Sequence, residues 1–342
     1  MHLSILIPVH NAEKLILRCL DSLLHQGLSE NDYEIIMIDD GSTDNSFFVI
    51  NEFAKAHSNI RLYSQENKGA YYTRNELVKK ATGTYVYFVD ADDFLAENAL
   101  SIVLKYALQY KLQVVAFGTK ATTNDKYNLE KVDEIIEYKA TRYSGEEFIE
   151  DNPDFRVEIW WYIVKKNYLT EEQIKFELFP YGADVLFTFQ CLLSCSDMLY
   201  LDVPIYCYYQ SDNSMRRNSD PEKLKKLIDA NFSVFEKLSK DIITHEGKVS
   251  EKALQVIGKK RDTFIFFLII KMIRAGYSFK TINKKLKPLK SLKVYPLKTI
   301  VKGNRNESVK YKFLNYIVNS KIGLITTAPF FKGIHKIFNK VS

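Results

Sequence analysis

Over the first 120 residues, apolar and polar positions fall into alternating blocks. Short runs of β-branched and aromatic residues each end in a polar turn, and each is followed by a segment whose apolar residues recur at helical spacing. His2 to Val9 (HLSILIPV) reads as a buried strand stopped at Pro8, and Asn11 as the cap of the helix that follows. In that helix Ile16, Leu20, Leu23 and Leu24 form one core-facing stripe. Tyr33 to Ile38 reads as a second strand, closed by the polar cluster Asp39 to Asp44 before a helix over Ser46 to Ala56. Ile60 to Ser64 is a third short strand. Asn67-Lys68-Gly69 then opens a helix carrying Tyr72, Arg74, Asn75 and Leu77, which ends at Thr82-Gly83. Tyr85 to Val89 is a fourth strand, and a helix (Ala96 to Tyr110) and a strand (Val114 to Phe117) extend the rhythm. Strands alternating with helices predict a doubly wound, mostly parallel sheet with helices on both faces.

After Thr119 the rhythm breaks. Thr122 to Asn128 reads as a loop and Val132 to Tyr138 as a strand. Ala183-Asp184 precedes an apolar helix, Val185 to Leu193, and Tyr200 to Tyr209 holds a strand and an aromatic cluster. Beyond Asn218 the pattern is amphipathic, helical and lysine-rich. The expected division is a catalytic α/β domain over 1–215 and a helical region over 216–342.

Composition changes this picture little. The chain is 46% apolar and 26% charged, as expected of a globular protein, and its net charge of +6 comes mostly from late in the chain. The four cysteines (Cys19, Cys191, Cys195, Cys207) lack zinc spacing and read as buried thiols, which fits a reducing compartment. Met1 leads almost directly into a strand, so no signal peptide is expected. The longest apolar run, Phe264 to Ile270, falls short of the ~18–20 residues that span a bilayer.

The chemistry concentrates at strand ends. The fourth strand runs into Asp90-Ala91-Asp92-Asp93, three carboxylates in four positions that repel one another unless a cation sits among them. Mg²⁺ and Mn²⁺ take oxygen ligands and borrow others from a diphosphate. Open α/β sheets bind ligands beyond the carboxyl ends of their strands. Asp92 and Asp93 would equally serve as caps of the next helix. No Gly-x-Gly-x-x-Gly follows the first strand, and the chain has neither a phosphate-binding Gly-x-x-x-x-Gly-Lys-Ser/Thr loop nor a His-Glu-x-x-His.

Four motifs stand in order: Ile5-Leu6-Ile7-Pro8-Val9-His10-Asn11-Ala12-Glu13, Ile38-Asp39-Asp40-Gly41-Ser42-Thr43-Asp44, Asn67-Lys68-Gly69 with Arg74-Asn75, and Val89-Asp90-Ala91-Asp92-Asp93. Together they resemble the inverting family 2 glycosyltransferases of GT-A fold, over roughly the first two-thirds of the chain. The resemblance implies a nucleotide-sugar donor and a divalent metal, Mn²⁺ or Mg²⁺. It places Pro8, Val9, His10 and Asn11 beside the base and ribose, and Asp39 on the base, most often uracil. Asn67 and Arg74 approach the nucleotide, Asp90 and Ala91 lie near the ribose or sugar, and Asp92 holds the metal. Arg74 would alternatively sit on a solvated helix face.

In this family an acidic pair ahead of an apolar helix supplies the general base. Ala183-Asp184 keeps only the second member, which would otherwise serve as a helix cap. A second departure is Tyr209, where relatives often carry an Arg followed by a Ser matching Ser214, and Arg216 or Arg217 would have to substitute. Trp160 and Trp161 read as an acceptor-side stacking wall or as core.

The function expected is inverting transfer of one hexosyl unit from a UDP-sugar to a carbohydrate or lipid-linked acceptor, as in surface polysaccharide assembly. The place expected is the cytoplasm, with peripheral contact at an anionic inner membrane face through the lysine-rich tail, and with no nucleic-acid partner. The lack of spans and of Gln-x-x-Arg-Trp argues against a processive synthase. The alternatives are a non-catalytic module for a nucleotide sugar or glycan, and a sugar nucleotidyltransferase. The latter would need a glycine-rich basic loop where Pro8 to Glu13 stands.

Overall fold

The computed structural model describes residues 1–124, 131–132, 138–210, 221–298 and 309–330. The chain divides into two compact units, Met1–Leu178 with Ala183–Arg217, and Phe179–Gly182 with Asn218–Ser342.

The first unit is built on a nine-stranded sheet. Its leading strands are β1 (Leu3–Val9), β2 (Tyr33–Asp40), β3 (Ile60–Gln65) and β4 (Tyr85–Phe88), separated by α1 (Ile16–Leu24), α2 (Ser46–Ala54) and α3 (Ala70–Lys80). They lie in the order β3-β2-β1-β4 with every pairing parallel, as the alternation predicts. β2 is buried along its whole length and β1 nearly so, as strands covered on both faces must be.

Beyond β4 the sheet is mixed. After β5 (Phe94–Leu95) and α4 (Ala99–Tyr110) come β6 (Val114–Thr122), β7 (Ala140–Tyr143), α5 (Gly145–Asp151), β8 (Tyr162–Lys165), α6 (Lys166–Glu171), α7 (Ala183–Leu193) and β9 (Met198–Tyr209). β8 runs antiparallel between β4 and β6, β9 is parallel to β6, and β5 and β7 lie antiparallel on β9. A four-residue strand such as β8 (YIVK) carries too little periodicity to be separated from the helix that follows it. The strand expected over Val132 to Tyr138 lies largely outside the described residues.

Two expected caps are replaced. α1 begins at Ile16 rather than after Asn11, because Asn11 takes a left-handed backbone (φ 53°) and turns its amide toward Thr43. Asp92 and Asp93 do not cap α4, since β5 intervenes and Asn98 precedes that helix. All four cysteines are buried and free.

Glu34 pins the edge of the sheet where the parallel strands begin. It is 3% exposed. It accepts hydrogen bonds from the Ser4 hydroxyl, the Thr82 backbone N–H and hydroxyl, and Arg61, each at 2.7 Å. The Ser4 hydroxyl in turn accepts from the Gly83 N–H at 2.8 Å. Gly83 is obligatory here, because a Cβ would stand 2.6 Å from the Ser4 nitrogen. Burial works against the Glu34 charge, but the bonds it accepts outweigh that and hold its carboxyl below the usual range. Its contribution is therefore present above the ordinary carboxylate range and lost as pH falls through the depressed value. Glu34→Ala should destabilise the fold by about 2–4 kcal/mol, leaving Ser4 and Thr82 unsatisfied. A urea midpoint that does not move would refute this.

The second unit is helical: α8 (Pro221–His245), α9 (Glu251–Arg274), α10 (Phe279–Ser291), α11 (Val309–Asn319) and α12 (Lys321–Phe330). The apolar run in α9 is core, with Ile265, Phe266, Leu268, Ile269 and Ile270 buried and Phe267 exposed. Among the described residues no helix is long and apolar enough to cross a membrane.

Candidate active site

The carboxyl ends of β1, β2 and β4 bring three of the four sequence motifs to one edge of the sheet, where the register sets Val9 beside Asp39 and Asp39 beside Ser64. Asp40 ties the fourth to them. It accepts from Gln65 Nε2 (2.7 Å), the Lys68 N–H (2.9 Å) and the Gly69 N–H (2.8 Å), and so fixes the Asn67-Lys68-Gly69 turn against β2. Gly41 has φ 68°, and a Cβ there would meet the Asn67 nitrogen at 2.8 Å, so the two turns close on each other only with glycine. His10 donates through Nδ1 to the Asp40 carbonyl at 3.0 Å and lies within 3.2 Å of the Asn67 amide. Asn11 accepts from the Thr43 N–H at 2.8 Å.

Within this cradle Asp39 is 3% exposed. Its Oδ2 accepts from the Ser42 N–H at 3.3 Å, whereas its Oδ1 is buried with no hydrogen-bond partner. A buried carboxylate oxygen left unmatched is costly and points to a donor outside the described residues, such as a ligand.

Residues expected to meet the ligand also meet one another. Arg74 is buried and donates to Asp90 Oδ1 at 2.7 Å, with its guanidinium over the rings of Tyr71 (5.4 Å) and Phe176 (5.8 Å). Burial disfavours the Arg74 charge, but Asp90, Tyr71 and Asp184 more than offset it and keep the group firmly cationic. Tyr71, one turn earlier on α3, donates its hydroxyl to Asp184 Oδ1 at 3.0 Å, and that hydroxyl also meets the Asp184 backbone N–H. Asn75 clamps Phe176 through two backbone bonds, at 2.8 Å and 3.0 Å. One face of α3 thus holds the start of α7 and the end of β4 together. Sequence reading overlooked Tyr71, although its spacing from Arg74 and Asn75 places all three on that face. Ala183 is fully buried, so the position of the missing companion carboxylate belongs to the core.

The acidic run divides by role. Asp93 is 1% exposed and bound by the Tyr206 hydroxyl (2.5 Å) and the Tyr209 N–H (2.7 Å), so it anchors β9. Burial and then the neighbouring charges of Asp92 and Asp90 push its carboxyl well up. Among the described residues no other residue donates a hydrogen bond to Asp92, which meets only its own backbone N–H. Burial and the charge of Asp90 push it to about 6. A partly buried, uncompensated carboxylate of this kind is a fitting oxygen ligand for a hard cation. No group of three or more His, Cys, Asp or Glu among the described residues is placed to hold an ion. An ion at Asp92 would therefore take its other oxygens from substrate and water, as Mg²⁺ commonly does.

Several expected contacts fall elsewhere. Val9 is fully buried and Ala91 nearly so, so their side chains pack in the core and only their backbones line the edge. Trp160 and Trp161 are each 3% exposed and do not form an open stacking wall. Trp160 is stacked on Tyr206 at 4.4 Å and Trp161 on Phe148 at 5.6 Å, both held by aromatic packing inside the domain. An edge of Trp161 borders a cavity of about 600 Å³ shared with Asp151, Arg156, Tyr200 and Asp202. Near Tyr209 the cation comes from α1, where Arg18 lies 3.6 Å over the Phe94 ring and 5.5 Å from the Tyr209 ring. Ser214, Arg216 and Arg217 lie outside the described residues.

Residues 4–168 match the sequence model of glycosyl transferase family 2. Residues 4–168 thus carry a glycosyl transferase family 2 segment. The match ends before α7, so the family 2 segment includes the carboxylate edge and α3 but not Asp184. An uncharacterized glycosyltransferase, EpsJ of Bacillus subtilis, is 30% identical over 220 residues, 62% of this chain and 62% of its own length. A poly(ribitol-phosphate) beta-glucosyltransferase of Bacillus spizizenii is 44% identical over 104 residues, 29% of this chain and 16% of that protein. The alignments thus span less than two-thirds of either relative. S. aureus TarS 1–349, solved in complex with UDP, superposes over 98% of this chain and 92% of its own, with a TM-score of 0.69 at 18% identity. The TarS likeness together with the family 2 match gives the fold as GT-A type.

Proposed function

We propose that the chain is an inverting glycosyltransferase moving a single hexosyl unit from a UDP-sugar to a carbohydrate or lipid-linked acceptor in surface polysaccharide assembly. The observation that carries this reading is the unmatched, buried Asp39 Oδ1 at the sheet edge of a family 2 domain. A carboxylate oxygen suits the N–H of a uracil ring, and solved complexes of TarS contain UDP and UDP-GlcNAc. His10 and Asn67 border the same recess. Asp90, its direction fixed by Arg74, faces the ribose or sugar. Asp92 would hold a divalent ion, Mn²⁺ or Mg²⁺, which when bound offsets charge on the departing diphosphate.

Asp184 is the general base. Inversion requires a carboxylate on the face opposite the leaving group to take the acceptor hydroxyl proton. Tyr71 orients it by donating to Oδ1. Tyr71 thereby supplies the constraint that a second carboxylate would otherwise provide.

Calorimetric titration with UDP and competing nucleotides tests the donor assignment. Asp39→Ala should weaken UDP binding by about 10- to 150-fold, the loss of one hydrogen bond to a charged group. It should also flatten the preference for uracil. Unchanged affinity would remove Asp39 from the base site. Release of UDP from a UDP-sugar in the presence of acceptor separates the transferase from a module that only binds.

A further inference from the structure

Charge is distributed unevenly along this chain. Between residues 279 and 342 there are fifteen Lys or Arg and a single acidic residue, Glu307, giving that stretch a net charge of +14. The preceding 278 residues hold 33 basic and 41 acidic residues, a net charge of −8. On α10 and just after it, Lys280, Lys284, Lys287 and Lys293 are exposed and none is paired with a carboxylate among the described residues. Ile282, Leu286 and Leu289 are buried on the other side of that helix.

The next two helices are unusual in a second respect. α11 and α12 pack closely, since a Cβ on Gly323 would stand 2.6 Å from the Ile317 Cα, and they bury Leu314, Ile317, Val318 and Leu324. Yet Phe313 (63% exposed) and Tyr316 (61%) sit three apart on α11, and Ile322 (67%) and Ile325 (45%) three apart on α12. Two helices that have already buried apolar residues against each other also present large apolar residues to solvent.

We propose that α11 and α12 form a docking surface for an anionic lipid bilayer, seated by Phe313, Tyr316, Ile322 and Ile325 and attracted by the lysines of this stretch of chain. Apolar anchors beside basic residues are the composition of helices that lie in a membrane interface, with aromatic side chains at the polar boundary. A second copy of the chain is disfavoured as the occupant, because it would set +14 against +14. A soluble polyanion would match the lysines but would leave four large apolar side chains in water. The absence of a spanning helix among the described residues fits a surface-lying mode.

The test is flotation of the full chain with phosphatidylcholine vesicles, with and without about 30% phosphatidylglycerol, at rising salt. The expected result is binding to the anionic vesicles only, weakened by salt. It should fall by on the order of tenfold or more both when Phe313, Tyr316, Ile322 and Ile325 are changed to Ser and when Lys280, Lys284, Lys287 and Lys293 are changed to Gln. The lysine variant leaves every buried residue in place and serves if the Ser variant fails to fold. Three results would overturn the proposal. One is a wild-type chain that does not float. Another is a folded Ser variant that floats as well as wild type while polyphosphate displaces both, which would mark a polyanion site. The third is a wild-type dimer that the Ser substitutions dissolve, which would mark a self-interface.

Discussion

Asp184→Asn is expected to slow sugar transfer by about 10²–10⁴ while leaving UDP-sugar binding within a few-fold of wild type. The substitution keeps the shape and the oxygen that accepts from Tyr71, and removes the basicity of the second oxygen. Steady-state transfer and calorimetric donor binding, measured on the same preparation, check both halves. Wild-type turnover in the Asn variant would send the search to another carboxylate. Tyr71→Phe is the companion. Its hydroxyl donates to Asp184 at 3.0 Å and so orients the carboxylate. Losing that bond should lower kcat, by less than loss of the base itself, and leave donor binding within a few-fold of wild type. An unchanged kcat in the Phe variant would mean that Tyr71 only packs. If Asp184→Asn is inert and Tyr71→Phe is not, the assignment of the base fails independently of the role of Tyr71.

The part of the site most legible in the sequence was the part carried by regular strands ending in polar turns. Leu3–Val9, Tyr33–Asp40 and Tyr85–Phe88 announce themselves by composition, and parallel neighbours must present their ends at one edge. That alone brings Asp39 and Asp90 together. What a strand end cannot reveal is which carboxylates the fold consumes. Asp39, Asp40, Asp90, Asp92 and Asp93 look alike in sequence. Among the described residues three bonds go to Asp40, one cation pairs with Asp90 and two bonds go to Asp93, while one oxygen of Asp39 and the carboxylate of Asp92 meet no partner residue. Partners more than a hundred residues away in sequence, Tyr206 and Tyr209 for Asp93, decide this, and no local pattern encodes them. The same holds for Trp160 and Trp161, whose stacking partners lie on α5 and β9.

Asp92→Asn is expected to abolish the metal dependence of UDP-sugar binding and, at neutral pH, to stabilise the ligand-free protein. The first effect follows from its place as a carboxylate at this edge that no other described residue pairs or bonds. Wild type with UDP and Mn²⁺ at about 100 times the dissociation constant should gain about 2.7 kcal/mol, and the variant should gain nothing from the metal. The second effect follows from its carboxyl being raised from 3.8 to about 6 by burial and by the charge of Asp90. A carboxyl whose value is higher in the folded state binds more protons folded than unfolded between those limits. Stability therefore falls as pH rises through that window and stays lowered above it. Allowing for solvent screening of a partly exposed group, the penalty at pH 7 is on the order of 1–2 kcal/mol. The Asn side chain cannot ionise, so the variant should match wild type near pH 4 and become the more stable protein by pH 7. Thermal unfolding of both proteins across that range, without metal and then with UDP and Mn²⁺, reads the two effects in one experiment. A variant that keeps the wild-type metal response would displace the ion from Asp92. A stability gap that does not widen with pH would mean that Asp92 is solvated rather than held in reserve for a cation.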